Sequence, residues 1–437
     1  MPRSSPAPRM VRCDWRSRKL SRVKAAWNRM GSAGANTASA CLARPPLMSV
    51  MVVVVSAGNL TDLPDGAHWF HNYPDYLADE FSRVASPGTA ALAVTVGSTA
   101  HSDTMDPARF PGGQGIADVG KPSPFGRTGP VQSSSAAGRQ KPEFSGPGGN
   151  WGWDENSGLI VERDPSLTPV TLRPSAGGRL FSNAWGTSYA APRVAHEIAD
   201  IADHYPDASA NLLRALTALS GTPPWQVPNP HAGTYGFPVA ARVAESTADH
   251  AICVLEGEIE TNSYQLVRLP IPAEFSAGRW DREVRVSLAY DPPVRRSRRD
   301  YIAGHMRFDL VRNYSEAQLQ QIYREQPTRA ERAAGAEWFE RPGKRNLPDM
   351  RPVVTALGSD TLICRSFRSG GAWDANDSDF YLVLEHTQSQ WSDSQRAGYP
   401  SQRYGLAVEL IRHETIDLDL HALMEAELRL ESRGRVR

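Results

Sequence analysis

The stretch "MSVMVVVVSAGN", residues 48–59, constrains the fold of this chain more than any other. It holds five valines in a run with no polar alternation, so neither face of the strand it predicts is reserved for solvent. Strands buried on both faces belong to parallel sheets covered by helices. A second run of the same kind is "TAALAVTVGS", residues 89–98. Between them "LPDGAHWFHNYPDYLADEFSRV" reads as a loop passing into a short helix or turn. Residues 111–150 are rich in Gly, Pro and Ser and end in "KPEFSGPGGN".

Helical spacing starts after "WGTSYAAPRV", residues 185–194. Val194, Ile198, Ile201 and Ala202 form one apolar face, with Glu197, Asp200 and Asp203 between them. Pro192 is placed in the first turn, where its missing N–H costs little. A second helix is predicted over "DASANLLRALTALSG", with Asp207 as cap and Gly221 as stop signal. After about residue 246 the pattern changes to alternation: "YQLVRLPIP", "REVRVSLAY", "MRFDLVRN", "DFYLVLEH" and "YGLAVELIRHE". Strands of this period predict an antiparallel β-sandwich. A helix is expected from Ser315, and the tail "IDLDLHALMEAELRLE" reads as strand from its opening alternation.

These patterns define three segments: a basic leader over 1–50, a parallel-sheet α/β domain over 51–245, and a β-sandwich domain over 246–437. The leader carries ten Lys/Arg against one acidic residue, Asp14, although the whole chain is neutral. It reads as a disordered tail, a transit-like peptide or a spurious extension, the last being favoured. No global basic field points to nucleic acid. No run of 18 apolar residues predicts a membrane span, and the N-terminus lacks the apolar core of a signal peptide. Cys13, Cys41, Cys253 and Cys364 form no close pair, which suggests a reducing compartment, the cytoplasm.

Ser188 stands just ahead of the predicted helix, where free N–H groups and a positive dipole end meet a developing anion. Asn59, after a glycine at a strand's end, can offer a second donor from its side chain. Two donors aimed at one oxyanion are the electrostatic core of acyl transfer. Alone, Ser188 is more often a helix cap and Asn59 a turn residue.

Together and in this order they carry a resemblance. "GTSYAAPRVA" resembles the nucleophile motif of subtilisin-like serine peptidases, the subtilases. "VVVVSAGN" resembles their oxyanion strand. "AVTVGS" and "KPEFSGPGG" are similar to the strand and the Lys-Pro-acid…Pro-Gly segment between the two. The resemblance implies a serine-type endopeptidase acting on peptide or protein substrates through an acyl-enzyme on Ser188. Asn59 would serve its oxyanion hole, and no cofactor or metal is implied.

A serine hydroxyl needs a base. The family's Asp and His motifs precede its Asn and Ser, and neither is found here: the 58 residues before Asn59 hold only Asp14 and no histidine. His196 lies eight residues along the same helix, ~12 Å away at ~1.5 Å per residue. His231, in "HAGTYG", follows the nucleophile. His68 and His71 sit three apart in a loop without a partner glutamate. An α/β-hydrolase elbow is excluded, because Ala190 stands where Gly-x-Ser-x-Gly needs its second glycine. The chain is therefore expected to be N-terminally truncated and inactive alone, with the valine strand left at an open sheet edge. The alternative is a noncatalytic pseudopeptidase that binds peptides or acts as a scaffold. The arginine-rich loop "YDPPVRRSRRDY" reads as a solvated turn.

Overall fold

A computed structural model describes residues 51–64, 68–129, 141–173, 178, 180–221, 235–295, 297, 301–312, 314–325, 361–371, 373, 380–393, 399–414 and 418–426, and the backbone of 40–41, 340–341, 344–345 and 357–359. The rest of the leader, with Asp14, and also His231, Arg296, Arg298 and Arg299, lie outside the described residues. The chain forms two compact units: Ser21–Arg242 with Leu357–Asp360, and the remainder.

The valine run becomes the strand of the first unit that the sequence requires. β1 (Ala40–Cys41), β2 (Val53–Ser56) and β3 (Val94–Thr99) lead along the chain through β4 (Gln114–Gly115) to β5 (Phe144–Pro147). The sheet order is β1-β2-β3-β5. β2 runs parallel to β3 in the register Val54↔Val94, and β3 parallel to β5 in the register Val96↔Phe144. The expected open edge beside β2 is corrected: β1 pairs with it antiparallel, Ala40 facing Val54 and Cys41 facing Val53.

Four short strands follow: β6 (Gly152–Asp154), β7 (Leu159–Val161) and the hairpin of β8 (Val170–Leu172) with β9 (Phe181–Asn183). The long helix α1 (Thr187–His204) packs against β2, β3 and β5, and α2 (Ala210–Ser220) packs on α1. Val54, Val94, Val96 and Phe144 from the sheet and Ala190, Val194, Ile198 and Ile201 from α1 are all buried. Each of the valine, isoleucine and phenylalanine side chains contributes roughly 1.5–3 kcal/mol by leaving water.

Two helix expectations need adjustment. Ser209 caps α2, its hydroxyl accepting the Leu212 N–H at 3.2 Å, while Asp207 lies two residues too early; Gly221 is the C-cap. Pro192 sits inside α1 and beyond its first turn. It therefore presents no N–H to the Ser188 carbonyl four residues before it.

The second unit is built on antiparallel sheets. β10 (His250–Glu260), β11 (Tyr264–Leu269), β12 (Arg282–Tyr290), β13 (Gly304–Arg312), β14 (Leu362–Ser369), β15 (Phe380–Gln388) and β16 (Ser401–Arg412) are its main strands. One sheet runs β10-β16-β12-β14 and another β11-β15-β13. Both feed one apolar cluster, with Val284, Val286, Leu288, Leu406 and Val408 from the first and Phe308, Leu310, Leu382 and Leu384 from the second. The five strands expected from alternation are β11, β12, β13, β15 and β16; β10 and β14 are additional. The helix Glu316–Glu325 begins directly after Ser315 and lays Leu319 and Tyr323 on the outer face of the smaller sheet, against Tyr264 and Val383.

The reading of the tail as strand is overturned. Residues 420–426 are helical, and the Asp419 carboxylate accepts the Ala422 N–H at 3.0 Å as an N-terminal cap. Leu420 and Met424, one helical turn apart, enter the core cluster.

Candidate active site

β2 ends at Ser56, and the chain leaves the sheet through Ala57, whose N–H donates to the Val96 carbonyl at 2.8 Å. Gly58 then takes a φ of +99°, which turns Asn59 toward the start of α1. From the other direction, the β8–β9 hairpin ends at Asn183 and is followed by Ala184, Trp185 and Gly186. The Gly186 N–H donates to the Gly148 carbonyl at 2.9 Å, so the "GPGG" segment holds the entry to the helix.

Thr187 joins the two stretches. Its backbone N–H donates to Asn59 Oδ1 at 2.9 Å and its hydroxyl to the same oxygen at 3.0 Å. The Gly58 N–H in turn donates to the Thr187 hydroxyl at 3.2 Å. Thr187 is fully buried, so these bonds are shielded from water. With Oδ1 committed to two donors, the Asn59 amide nitrogen takes the opposite side. It lies beside Gly186, where a Cβ would stand only 2.9 Å from Nδ2. Gly186 also has a φ of +141°, so both conformation and space require glycine there.

Ser188 follows as the second residue of α1, half-buried. The helix has Gly186 as its N-cap, which offers no side-chain acceptor of its own. Among the described residues, neither the Ser188 N–H nor its hydroxyl has a hydrogen-bond partner, and Asn59 Nδ2 has no acceptor. A serine hydroxyl, a backbone donor and a side-chain amide donor, none with a hydrogen-bond partner among the described residues, thus lie around one helix N-terminus. That arrangement suits a tetrahedral oxyanion.

The sequence singled out Ser188 and Asn59, and the fold brings their segments together through Thr187. Sequence reasoning passed over Thr187 as a bridge, although it sits inside the quoted motif; a threonine that both donates to and accepts from one turn leaves no periodic signal. The histidines are placed elsewhere. His196 pairs with Asp200 at 3.6 Å on an exposed part of α1. The His68 and His71 rings lie tilted against each other with centroids 4.8 Å apart and meet Trp153 at 5.1 and 5.8 Å. Burial, and then the charge of Arg193, lower the pKa of His101. Among the described residues no group of three or more His, Cys, Asp or Glu is placed to hold a metal ion. No described helix is long and apolar enough to cross a membrane.

An uncharacterized protein of Sinorhizobium fredii (strain NBRC 101917 / NGR234), y4bN, is 34% identical over 279 residues, covering 60% of this chain and 64% of the relative. The chain therefore spans less than two thirds of that relative's length. Among solved structures, the complex of the Aeromonas sobria serine protease (ASP) with the chaperone ORF2 shares 13% identity, covers 77% of this chain and 68% of that one, and superposes with a TM-score of 0.20. The Subtilase family model matches residues 13–231, beginning within the basic leader and ending past α2. With half its length matched by that model, this chain belongs to the subtilase family.

Proposed function

We propose that this chain carries the nucleophile and oxyanion hole of a subtilisin-type serine endopeptidase. Ser188 attacks the peptide carbonyl and forms the acyl-enzyme. The Ser188 N–H and Asn59 Nδ2 hold the oxyanion. One observation carries this reading: Asn59 Oδ1 accepts both Thr187 donors, at 2.9 and 3.0 Å, and so commits Nδ2 to the helix N-terminus. In this reading residues 51–245 are the peptidase part and 246–437 an accessory β-sandwich, and the substrates are peptides or proteins. Cys253 and Cys364, which take part in no disulfide among the described residues, fit a reducing compartment such as the cytoplasm.

No histidine or carboxylate bonds the Ser188 hydroxyl among the described residues. The chain by itself is accordingly proposed to be inactive for want of a base. A hydroxyl without a base is a weak nucleophile, whereas a preformed oxyanion hole retains a fraction of the catalysis.

The test is labelling of the purified chain with a fluorophosphonate, with and without a high concentration of imidazole as external base. The expected result is adduct at Ser188 only when imidazole is present, and none in Ser188→Ala. Rapid labelling without imidazole, lost in Ser188→Ala, would show that the chain supplies its own base. A folded chain that stays unlabelled even with imidazole would favour a noncatalytic, peptide-binding role.

A further inference from the structure

Arg127 holds the side of Asn59 that Thr187 does not. Its Nε donates to the Asn59 carbonyl at 3.2 Å, and its Nη1 donates to the carbonyls of Phe81 at 2.7 Å and Arg83 at 3.0 Å. Its backbone N–H donates to the Gly58 carbonyl at 3.1 Å, and the Leu60 N–H donates to the Phe125 carbonyl at 2.7 Å. Asn59 and Gly126 form an isolated antiparallel bridge. The stem of Arg127 lies against the turn, its Cδ 3.0 Å from where a Cβ on Gly58 would be.

These contacts fall just past the end of β2, where the ladder with β3 no longer fixes the chain. The Thr187 bonds orient the amide plane of Asn59, but a side chain is only as well placed as its Cα. The Asn59 main chain is located by the Gly126 bridge and by the guanidinium. The same guanidinium ties that main chain to the turn at Phe81–Arg83. A planar fork with five N–H groups serves carbonyls from two segments at once, and an ammonium on a flexible stem does so less well.

We propose that Arg127 is a positioning residue for the oxyanion donor: it fixes the Asn59 backbone so that Nδ2 stands where negative charge develops. The inference rests on the assignment of Asn59 to the oxyanion hole. Such a residue acts on the transition state and leaves ground-state binding alone. A misplacement of about 1 Å in a catalytic group costs up to ~10²-fold in rate.

The test uses the full chain and two readouts. The first is the saturation kinetics of fluorophosphonate labelling in imidazole for wild type, Arg127→Met, Arg127→Lys, Asn59→Leu and the double variant. Arg127→Met is expected to lower the maximal labelling rate by roughly 10–10²-fold with half-saturation unchanged. Arg127→Lys should recover part of the rate. In the Asn59→Leu background Arg127→Met should have no further effect, because the residue through which it acts is gone. Equal losses in both backgrounds, or a rise in half-saturation alone, would overturn the proposal.

The second readout needs no chemistry. In chain labelled with [15N]asparagine, the Asn59 side-chain amide signal is identified by its loss in Asn59→Asp. Its motion is then compared among the Arg127 variants. Arg127→Met should mobilise it and Arg127→Lys should restore its order. An equally ordered amide in a folded Arg127→Met chain contradicts the proposal even if no variant can be labelled. Mobilised order with no labelling of wild type would instead leave Arg127's role standing and remove the function proposed for Ser188. If Arg127→Met does not fold, Arg127→Gln, which keeps part of the donor set, takes its place in both measurements.

Discussion

Asn59 and Thr187 are joined by three hydrogen bonds between their segments, two into Asn59 Oδ1 from Thr187 and one from Gly58 back to the Thr187 hydroxyl. The two residues are 128 positions apart in the chain. This knot between the end of β2 and the start of α1 places the Asn59 amide beside Gly186, two residues before Ser188.

Gly186 should not tolerate a side chain. A Cβ there meets Asn59 Nδ2 at 2.9 Å, and the φ of +141° is open essentially to glycine alone. Gly186→Ala is expected to cost about 1–3 kcal/mol in stability. It should also abolish imidazole-dependent labelling of Ser188 by displacing the donor. Urea unfolding and the labelling assay check the two effects. Wild-type behaviour in both would mean that the Asn59 amide does not sit against Gly186.

Lys141 and Glu143 form an ion pair with no exposure on either side chain, at 2.5 Å. Lys141 Nζ also donates to the Ala93 carbonyl at 2.7 Å, and Glu143 accepts the Thr95 N–H at 2.8 Å, so the pair fastens β3 to the segment entering β5. Removing one partner leaves a buried charge uncompensated. Glu143→Gln should destabilise the chain by about 3–5 kcal/mol, and the double substitution Lys141→Met with Glu143→Leu by less than that. Unfolding free energies of the variants decide the point; a double variant worse than the single one would contradict it.

His386 makes the second unit sensitive to acid. Its Nδ1 accepts the Asn262 N–H at 3.2 Å, and its Nε2 meets the Tyr399 hydroxyl at 2.8 Å. Burial, and then the neighbouring His305, push its pKa down from 6.5 to about 4. The unfolded chain therefore takes up the proton first as pH falls. The stabilisation is complete above about pH 6.5 and is lost progressively down to about pH 4, by at most about 3 kcal/mol. Between pH 7.5 and 4.5 the full chain should lose more stability than His386→Gln does. Identical pH profiles would show that His386 is not held neutral.

The sequence reveals the parts of this fold that repeat or that must be dry. The valine runs announce β2 and β3, and the spacing of Val194, Ile198 and Ile201 announces α1. What it hides is set by contacts far apart in the chain. Leu418 and Leu420 alternate with acids like a strand, yet Asp419 caps a turn and Leu420 and Met424 find the core from a helix. Ser209 wins the α2 cap over Asp207 because only its hydroxyl reaches the Leu212 N–H. Ser188 and Asn59 were legible because both lie in motifs with a chemical reason for their order. Arg127, in "PFGRTGP", has no such signal, because the three carbonyls it bonds are brought together only by the fold.

The central claim is that Ser188 and Asn59 are one catalytic unit. The most direct measurement supplies a base from another family member. The Asp- and His-bearing segment of another subtilase is fused ahead of Met51, and peptide turnover is compared with and without Asn59→Leu. Loss of one such donor in a peptidase of this same family costs roughly 10²–10³ in kcat, and that is the loss expected here, with KM nearly unchanged. A folded chimera that cleaves peptides equally well with Asn59→Leu would contradict the account.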